Sequence, residues 1–208
     1  MLLPYVYFGY MSIVLAYLTD KNYRLSIDKF FKSLYTSDKP SNHIGIYNKP
    51  CEEEIHMAYE NLNVKKEYID LAASSFGEGL HCSQVTFGYA AKKLGFDEAT
   101  AKKIGAAFGG GMFNGERCGA LTGAMMGLSL AYGHYNKETK PNEAKLQEKR
   151  IALEKKFKEA FGSYQCADII GANIGTPEGM ERFKKENLAK DCPVLTGYVC
   201  QLLDELLD

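Results

Sequence analysis

From Leu62 onward, apolar residues recur at the three- and four-residue spacing of amphipathic helices, and no stretch alternates as a strand does. The first two faces consist of Tyr68, Ile69, Ala72 and Phe76, followed by Val85, Tyr89 and Leu94. The charged stretch 142–161 is predicted to form a helix whose inward face consists of Leu146, Leu153, Phe157 and Phe161. The last helix has an apolar face made of Val194, Leu195, Tyr198, Val199, Leu202, Leu203 and Leu206. The pattern predicts an all-α fold.

The stretch CGALTGAMMGLSLAYG at 118–133 is apolar on nearly all sides. Because it is short for a membrane span, we expect it to be the buried central helix of a compact bundle, with the last helix packed on it. Gly119, Gly123 and Gly127 form one stripe along this helix. Glycine in a helix interior costs about 1 kcal/mol relative to alanine, so the stripe indicates a steric need. Close packing of a neighbouring helix is favoured over a ligand lying on the stripe.

Glycine and capping residues mark the ends of the predicted helices. Gly77 and Gly79 end the first helix, and Gly95 ends the second. Asp97 is then expected to cap a third helix that runs to about Phe108.

The N-terminal stretch 1–18 contains no charged side chain and is followed by Lys21 and Arg24. A membrane-spanning or signal-anchor helix is therefore one interpretation, although the length is at the lower limit. If it spans, the positive flank keeps the remainder in the cytoplasm. Residues 20–56 lose the helical periodicity and are typical of an irregular connector.

Another hypothesis is that translation starts at Met57, because the glutamate codons at 52–54 can form a purine-rich ribosome-binding sequence. Residues 1–56 would then be translated leader, and Cys51, without a domain around it, would need no function. On either interpretation we divide the chain into an N-terminal extension, 1–61, and a helical domain, 62–208. The expected location is the cytoplasm, with a membrane-anchored form as the alternative.

Charge and cysteine spacing narrow the range of functions. Lys and Arg number 25 against 26 Asp and Glu, for a net charge of −1, and no basic stripe suits a nucleic-acid partner. The six cysteines are Cys51, Cys82, Cys118, Cys166, Cys192 and Cys200. They form no CxxC pair and lack the short spacings of a secreted disulfide scaffold. This usage is typical of cytosolic thiols that react or bind a ligand.

Four of the cysteines, Cys82, Cys118, Cys166 and Cys192, each come directly before or at a predicted helix start. Pro193 is favoured at a first helical position, which makes Cys192 the expected N-cap. Unsatisfied amides and the helix dipole stabilise a thiolate there, so the sequence predicts lowered thiol pKa values. A small buried hydrophobe is the alternative for any one cysteine. Cys200, two turns beyond Cys192 on the same helix, is assigned to the core.

The glycine-rich segment 109–117 leads into Cys118. It does not fit a phosphate loop, since Glu116 stands where a lysine is needed. Gly109, Gly110 and Gly111 in this segment are expected to support the cysteine site. We hypothesise that this segment brings backbone amides near Cys118.

Two titratable neighbours are further candidates. His81, beside Cys82, is a candidate base or proton donor, with an ordinary exposed loop histidine as the alternative. Arg117, beside Cys118, is a candidate for stabilising the thiolate, with a solvated loop pair with Glu116 as the alternative.

Several blocks occur in a fixed order: HCSQ at 81–84, FGGGM at 108–112, CGALTG at 118–123, FGSYQC at 161–166 and DCP at 191–193. With these blocks, residues 62–208 resemble the C_GCAxxG_C_C family. The resemblance implies a helical domain that is suspected of redox activity and often encoded near transporter genes. It also implies that the four signature cysteines are Cys82, Cys118, Cys166 and Cys192. His81 stands where relatives often have Asn, and the long N-terminal segment is foreign to the pattern.

Three functions remain open from the sequence. The first is a thiol–disulfide oxidoreductase that cycles between dithiol and disulfide without a cofactor. The second is a zinc or iron–sulfur protein in which the same four cysteines are ligands, although no short-spaced pair supports it. The third is a structural accessory protein associated with a transporter. The physiological partner is an unidentified redox partner, either a membrane transporter or an oxidoreductase.

Overall fold

The computed structural model describes residues 62–208; the predicted N-terminal extension, with its apolar stretch 1–18, Cys51 and Met57, lies outside the described residues. The described chain is all-α, as predicted, and contains no β-strand. Its helices are α1 (Lys66–Gly77), α2 (Cys82–Lys93), α3 (Glu98–Gly105), α4 (Gly119–Tyr132), α5 (Asn142–Phe161), α6 (Cys166–Ile170), α7 (Pro177–Lys185) and α8 (Cys192–Leu207). Within residues 62–208, no helix combines the length and apolarity that crossing a membrane requires.

The helix ends follow the capping signals closely. The Asp97 carboxylate accepts a hydrogen bond from the Thr100 backbone N–H at 2.7 Å, which caps α3 as predicted. α3 ends at Gly105, short of the predicted Phe108, because the chain tightens into a 3₁₀ turn at Ala106–Phe108. This turn leads directly into the glycine-rich segment.

α4 is the central helix of the bundle. Leu121 and Leu128 on this helix are fully buried, and α4 packs against α2, α5 and α8. α5 contributes Leu153 and Phe157 to the same core and keeps its charged residues outside. α8 packs on α4 as predicted and more extensively on α1. The apolar central helix is therefore covered on several sides.

The glycine stripe of α4 lets α2 approach closely. A Cβ on Gly123 would lie 2.2 Å from Thr86 Oγ1, and one on Gly127 would lie 2.4 Å from Ala90 Cβ. Such separations are far inside van der Waals contact, so only glycine fits at these positions. The prediction of close helix packing is confirmed for Gly123 and Gly127. Gly119 faces a different neighbour, which belongs to the cysteine site described below.

A polar cluster around Asp204 ties α1 and α2 to α8. The Asp204 carboxylate accepts hydrogen bonds from the Tyr68 and Tyr89 hydroxyls, the latter at 2.8 Å, and from Lys93 Nζ at 3.0 Å. Burial acts to raise the pKa of Asp204, but these hydrogen bonds outweigh it and lower that pKa. The charged carboxylate is therefore the form that the fold favours.

Candidate active site

The four signature cysteines lie at helix starts in the structure. Cys82, Cys166 and Cys192 are the first residues of α2, α6 and α8, and Cys118 is the N-cap residue of α4. The predicted boundary at α8 is one residue off, because Asp191 takes the cap position. Helix starts thus position all four sulfurs, although the helices themselves come from different parts of the chain.

These four cysteines line one cavity of about 440 Å³. Two of the supporting positions that the sequence singled out, His81 and Gly110, line it as well. The four cysteines are far apart in the sequence, so only the folded chain can bring them together. The fold does so by placing them around one cavity. All the described cysteines are free thiols.

Backbone pairing brings Cys118 and Cys166 to the same face of the chain. Cys118 N–H donates to Tyr164 O at 2.8 Å, and Cys166 N–H donates to Glu116 O at 2.6 Å, forming an isolated antiparallel bridge. In this register the two cysteines are diagonal neighbours, with Cβ atoms expected within about 7–8 Å. Because the sequence carries no strand pattern here, sequence reasoning missed this contact.

The side chain of Arg117 takes the opposite direction from Cys118, as alternation along the bridge requires. Its guanidinium lies 3.2 Å from Glu154 Oε1 and 5.1 Å from the centre of the Tyr164 ring. The structure therefore directs this cation to α5 and not to the Cys118 thiol. The charge pair that it forms is with Glu154 instead of the predicted Glu116.

Cys82 lies against the N-terminus of α4. A Cβ on Gly119 would be 2.6 Å from Cys82 Sγ, so glycine is what permits this approach. Burial raises the pKa of Cys82, and the backbone N–H groups of Gly110, Ser83 and Ala120 act in the opposite direction. The hypothesis that the glycine segment brings amides to Cys118 is corrected here, since the Gly110 amide reaches Cys82.

The glycine-rich segment forms a left-handed turn beside this sulfur. Gly110, Gly111, Met112 and Phe113 have φ values from 57° to 62°. This conformation costs roughly 1–2 kcal/mol for each residue other than glycine. A Cβ on Gly111 would lie 2.4 Å from the Glu116 backbone nitrogen, which restricts that position to glycine. The turn aims the Gly110 amide at Cys82 and leaves Met112 and Phe113 about half exposed, at 48% and 49%.

Phe113 and His81 form one edge of the cavity. Their rings meet edge to face, with centroids 5.0 Å apart. A Cβ on Gly109 would lie 2.4 Å from His81 Cβ, so Gly109 allows the chain to pass close to this histidine. Sequence reasoning selected His81 and Gly109 but missed Phe113, because a positive φ at a phenylalanine has no sequence signal.

Burial decides the ionisation of these thiols. It raises the pKa of Cys82, and the surrounding backbone N–H groups lower it only in part. Burial likewise raises the pKa of Cys118 and Cys192, and it raises the pKa of Cys166 to about 12. The prediction that helix starts lower these pKa values is therefore wrong, because the desolvation penalty exceeds the stabilisation by amides.

A negative charge on one thiol affects the pKa of the others. After burial, a thiolate at Cys82 is the next cause that raises the pKa of Cys118, Cys166 and Cys192. The pKa of Cys82 itself is governed by burial and by backbone N–H groups. A thiolate at Cys82 therefore disfavours a second thiolate in the cavity.

Cys200 has a different environment. It is fully buried in a small apolar cluster with Tyr68, Ala72 and Val85, and it does not line the cysteine cavity. Its assignment to the core is confirmed. Among residues 62–208, no group of three or more His, Cys, Asp or Glu side chains is arranged to hold a metal ion.

Comparison with known proteins gives one match. Neither a curated protein nor a solved structure matches the chain. A family model described as "Putative redox-active protein (C_GCAxxG_C_C)" matches residues 80–206, a range that includes all four cysteines of the cavity. The chain therefore belongs to the C_GCAxxG_C_C family.

Proposed function

We propose that this protein is a thiol–disulfide redox protein whose reaction takes place in the four-cysteine cavity. The observation that carries the proposal is the shared cavity itself, since cysteines from four different helices line it. Cys200, which is buried in the core, takes no part. The proposal places the protein in the cytoplasm, where thiols are kept reduced between turnovers.

Cys82 is the proposed attacking thiol and Cys118 the proposed resolving thiol. Backbone N–H groups act against the rise that burial causes in the pKa of Cys82, and the Cys82 sulfur lies against Gly119, the residue directly after Cys118. Oxidation removes one hydrogen from each thiol and joins the sulfurs, so two electrons and two protons pass to an acceptor. Cys166 and Cys192, in the same cavity, are then placed to exchange with that disulfide.

A cysteine-ligated zinc ion or iron–sulfur cluster is the second candidate. Four thiols on one cavity and backbone N–H groups at the Cys82 sulfur favour it, because such amides stabilise ligated sulfur. The residues described do not form a ready metal-ligand group. Side chains would have to move before four sulfurs bound one metal, which is why the dithiol function is preferred.

The test is thiol counting on the anaerobically purified full chain, together with iron, zinc and sulfide analysis. Reduced protein is treated with diamide, alkylated and digested, and the joined cysteines are identified by mass spectrometry. We expect two thiols to disappear and a Cys82–Cys118 peptide pair to form. Cys82→Ser should abolish this pair, while Cys200→Ser, the control outside the cavity, should retain it.

One equivalent of bound metal in the purified protein would replace the dithiol proposal with the metal candidate. Absence of both metal and any diamide-induced bridge would exclude both. A bridge that persists in Cys82→Ser would contradict the assignment of Cys82 as the attacking thiol.

A further inference from the structure

Thr196 lines the cysteine cavity and carries a hydroxyl that is unpartnered within residues 62–208. It lies in α8, one turn after Cys192, and lines the cavity. Its side chain is fully buried, and its hydroxyl has no hydrogen-bond partner among the residues described. Buried hydroxyl groups are rarely left without a partner, so this one requires an explanation.

Two threonines outside the cavity lining show what Thr196 lacks. Thr86 and Thr122 follow Cys82 and Cys118 by the same four residues. Their hydroxyls donate to the carbonyl oxygens of those cysteines at 3.2 Å and 3.0 Å. This back-bonding is the ordinary way to satisfy a threonine in a helix. Thr196 does not make the equivalent bond, and its buried hydroxyl is left without a partner in the described part of the chain.

The cavity walls favour an apolar molecule and disfavour a cation. Phe76, Phe113 and Phe183 line it together with aliphatic side chains. Lys190 is the single charged side chain among the described lining residues, and it is exposed. No carboxylate is among them, so a cation gains no partner unless thiols ionise, which burial opposes. The volume of about 440 Å³ is within the range of small-molecule sites.

The chemistry of the thiols adds a requirement. Because burial keeps them protonated, a pair of thiols carries two electrons and two protons. If the two electrons and the two protons leave together, no net charge remains in the apolar cavity. If the electrons alone left, two uncompensated protons would remain there. The oxidant that suits such a thiol pair is therefore one that accepts two electrons and two protons.

We propose that the cavity binds a small quinone, with a carbonyl oxygen accepting a hydrogen bond from the Thr196 hydroxyl and the ring lying among the phenylalanine side chains. This deepens the proposed function and rests on it for the redox step. In that step the S–H bonds of Cys82 and Cys118 break and one S–S bond forms. Each quinone oxygen gains one hydrogen, so the quinone becomes a hydroquinone.

The test uses duroquinone, whose fully substituted ring blocks the conjugate addition of thiols. Binding is measured anaerobically by equilibrium dialysis on the full chain carrying Cys82→Ser, in which the proposed reaction is blocked. Thr196→Val in this background should weaken binding about fivefold, the effect of one lost neutral hydrogen bond. Thr122→Val, whose hydroxyl is already bonded within α4, should leave binding within about twofold. A doubly sulfonated anthraquinone should not bind.

Thermal unfolding separates a ligand role for Thr196 from a structural one. Thr196→Val removes an unpartnered buried hydroxyl, so the unfolding temperature of the free protein should stay equal or rise. A fall in that temperature, or equal duroquinone binding with and without the Thr196 hydroxyl, would overturn the assignment.

Redox measurements distinguish this inference from the function on which it rests. Reduced wild-type protein should convert duroquinone to its hydroquinone as the Cys82–Cys118 disulfide forms. If diamide forms that disulfide but duroquinone neither binds nor oxidises the protein, the quinone inference fails and the dithiol function stands. If duroquinone binds but neither oxidant forms a disulfide, the dithiol function fails, and the acceptor role fails with it.

Discussion

Replacing Gly119 with alanine tests the packing of Cys82 against α4. The added Cβ would lie 2.6 Å from Cys82 Sγ and 2.7 Å from Phe108 O. Ordinary non-bonded contacts are about 3.5–4.0 Å, so each contact overlaps by about 1 Å. Overpacking of this kind costs about 1–3 kcal/mol, and the higher helix propensity of alanine offsets at most about 1 kcal/mol. We expect a net loss of about 1–2 kcal/mol in the free energy of unfolding.

The same substitution should slow the chemistry of Cys82. Displacing the sulfur from the start of α4 weakens the hydrogen bond from the Ala120 N–H, one of the groups that lower the pKa of Cys82. Urea denaturation followed by circular dichroism measures stability, and the rate of diamide-induced disulfide formation measures the thiol. Gly77→Ala is the matched control, because a Cβ there meets nothing within 4 Å. Its stability should stay within about 0.5 kcal/mol of wild type.

Unchanged stability in Gly119→Ala, with an unchanged rate of disulfide formation, would refute the reasoning. It would mean that Cys82 does not lie against α4 in solution. A loss of stability with an unchanged rate would separate the two claims, leaving the packing correct and the role of the Ala120 amide wrong.

Three further predictions concern ionisation and strain. Burial raises the pKa of Cys166 to about 12, so its alkylation by iodoacetamide in folded protein should still be rising steeply at about pH 11, whereas an ordinary thiol with a pKa of 9.0 levels off above about pH 10. A plateau above about pH 10 would contradict this burial. Asp204→Asn should cost about 2 kcal/mol at pH 7. Because the folded-state pKa of Asp204 is lowered, its contribution is present above the unfolded value of 3.8 and lost as pH falls through the lowered pKa, so wild type and variant should converge in acid denaturation. Met112→Gly should stabilise the protein by about 1 kcal/mol in urea denaturation, because glycine adopts a φ of 57° without strain; equal or lower stability would argue against the left-handed turn.

Local patterns in the sequence predicted much of this fold. Helical periodicity indicated the all-α class and the apolar faces of α1, α4, α5 and α8. Glycines at four-residue intervals predicted a close helix contact, which α2 makes along Gly123 and Gly127. Helix-start signals such as Pro193 placed the cysteines correctly to within one residue. These features depend on neighbours a few residues apart, so a single sequence carries them.

The tertiary structure decided the chemistry of the site. Whether helix-start amides lower a thiol pKa depends on how far the folded chain buries the sulfur, and burial reversed the predicted direction at all four cysteines. The Gly110 amide lies near Cys82 because of a left-handed turn, and Arg117 pairs with Glu154 because of a backbone bridge. Neither feature produces a periodic pattern in the sequence. The unpartnered hydroxyl of Thr196 is likewise invisible in a sequence where Thr86 and Thr122 share its spacing. Desolvation and hydrogen-bond partners are properties of groups brought together from distant parts of the chain, and only the packed helices determine them.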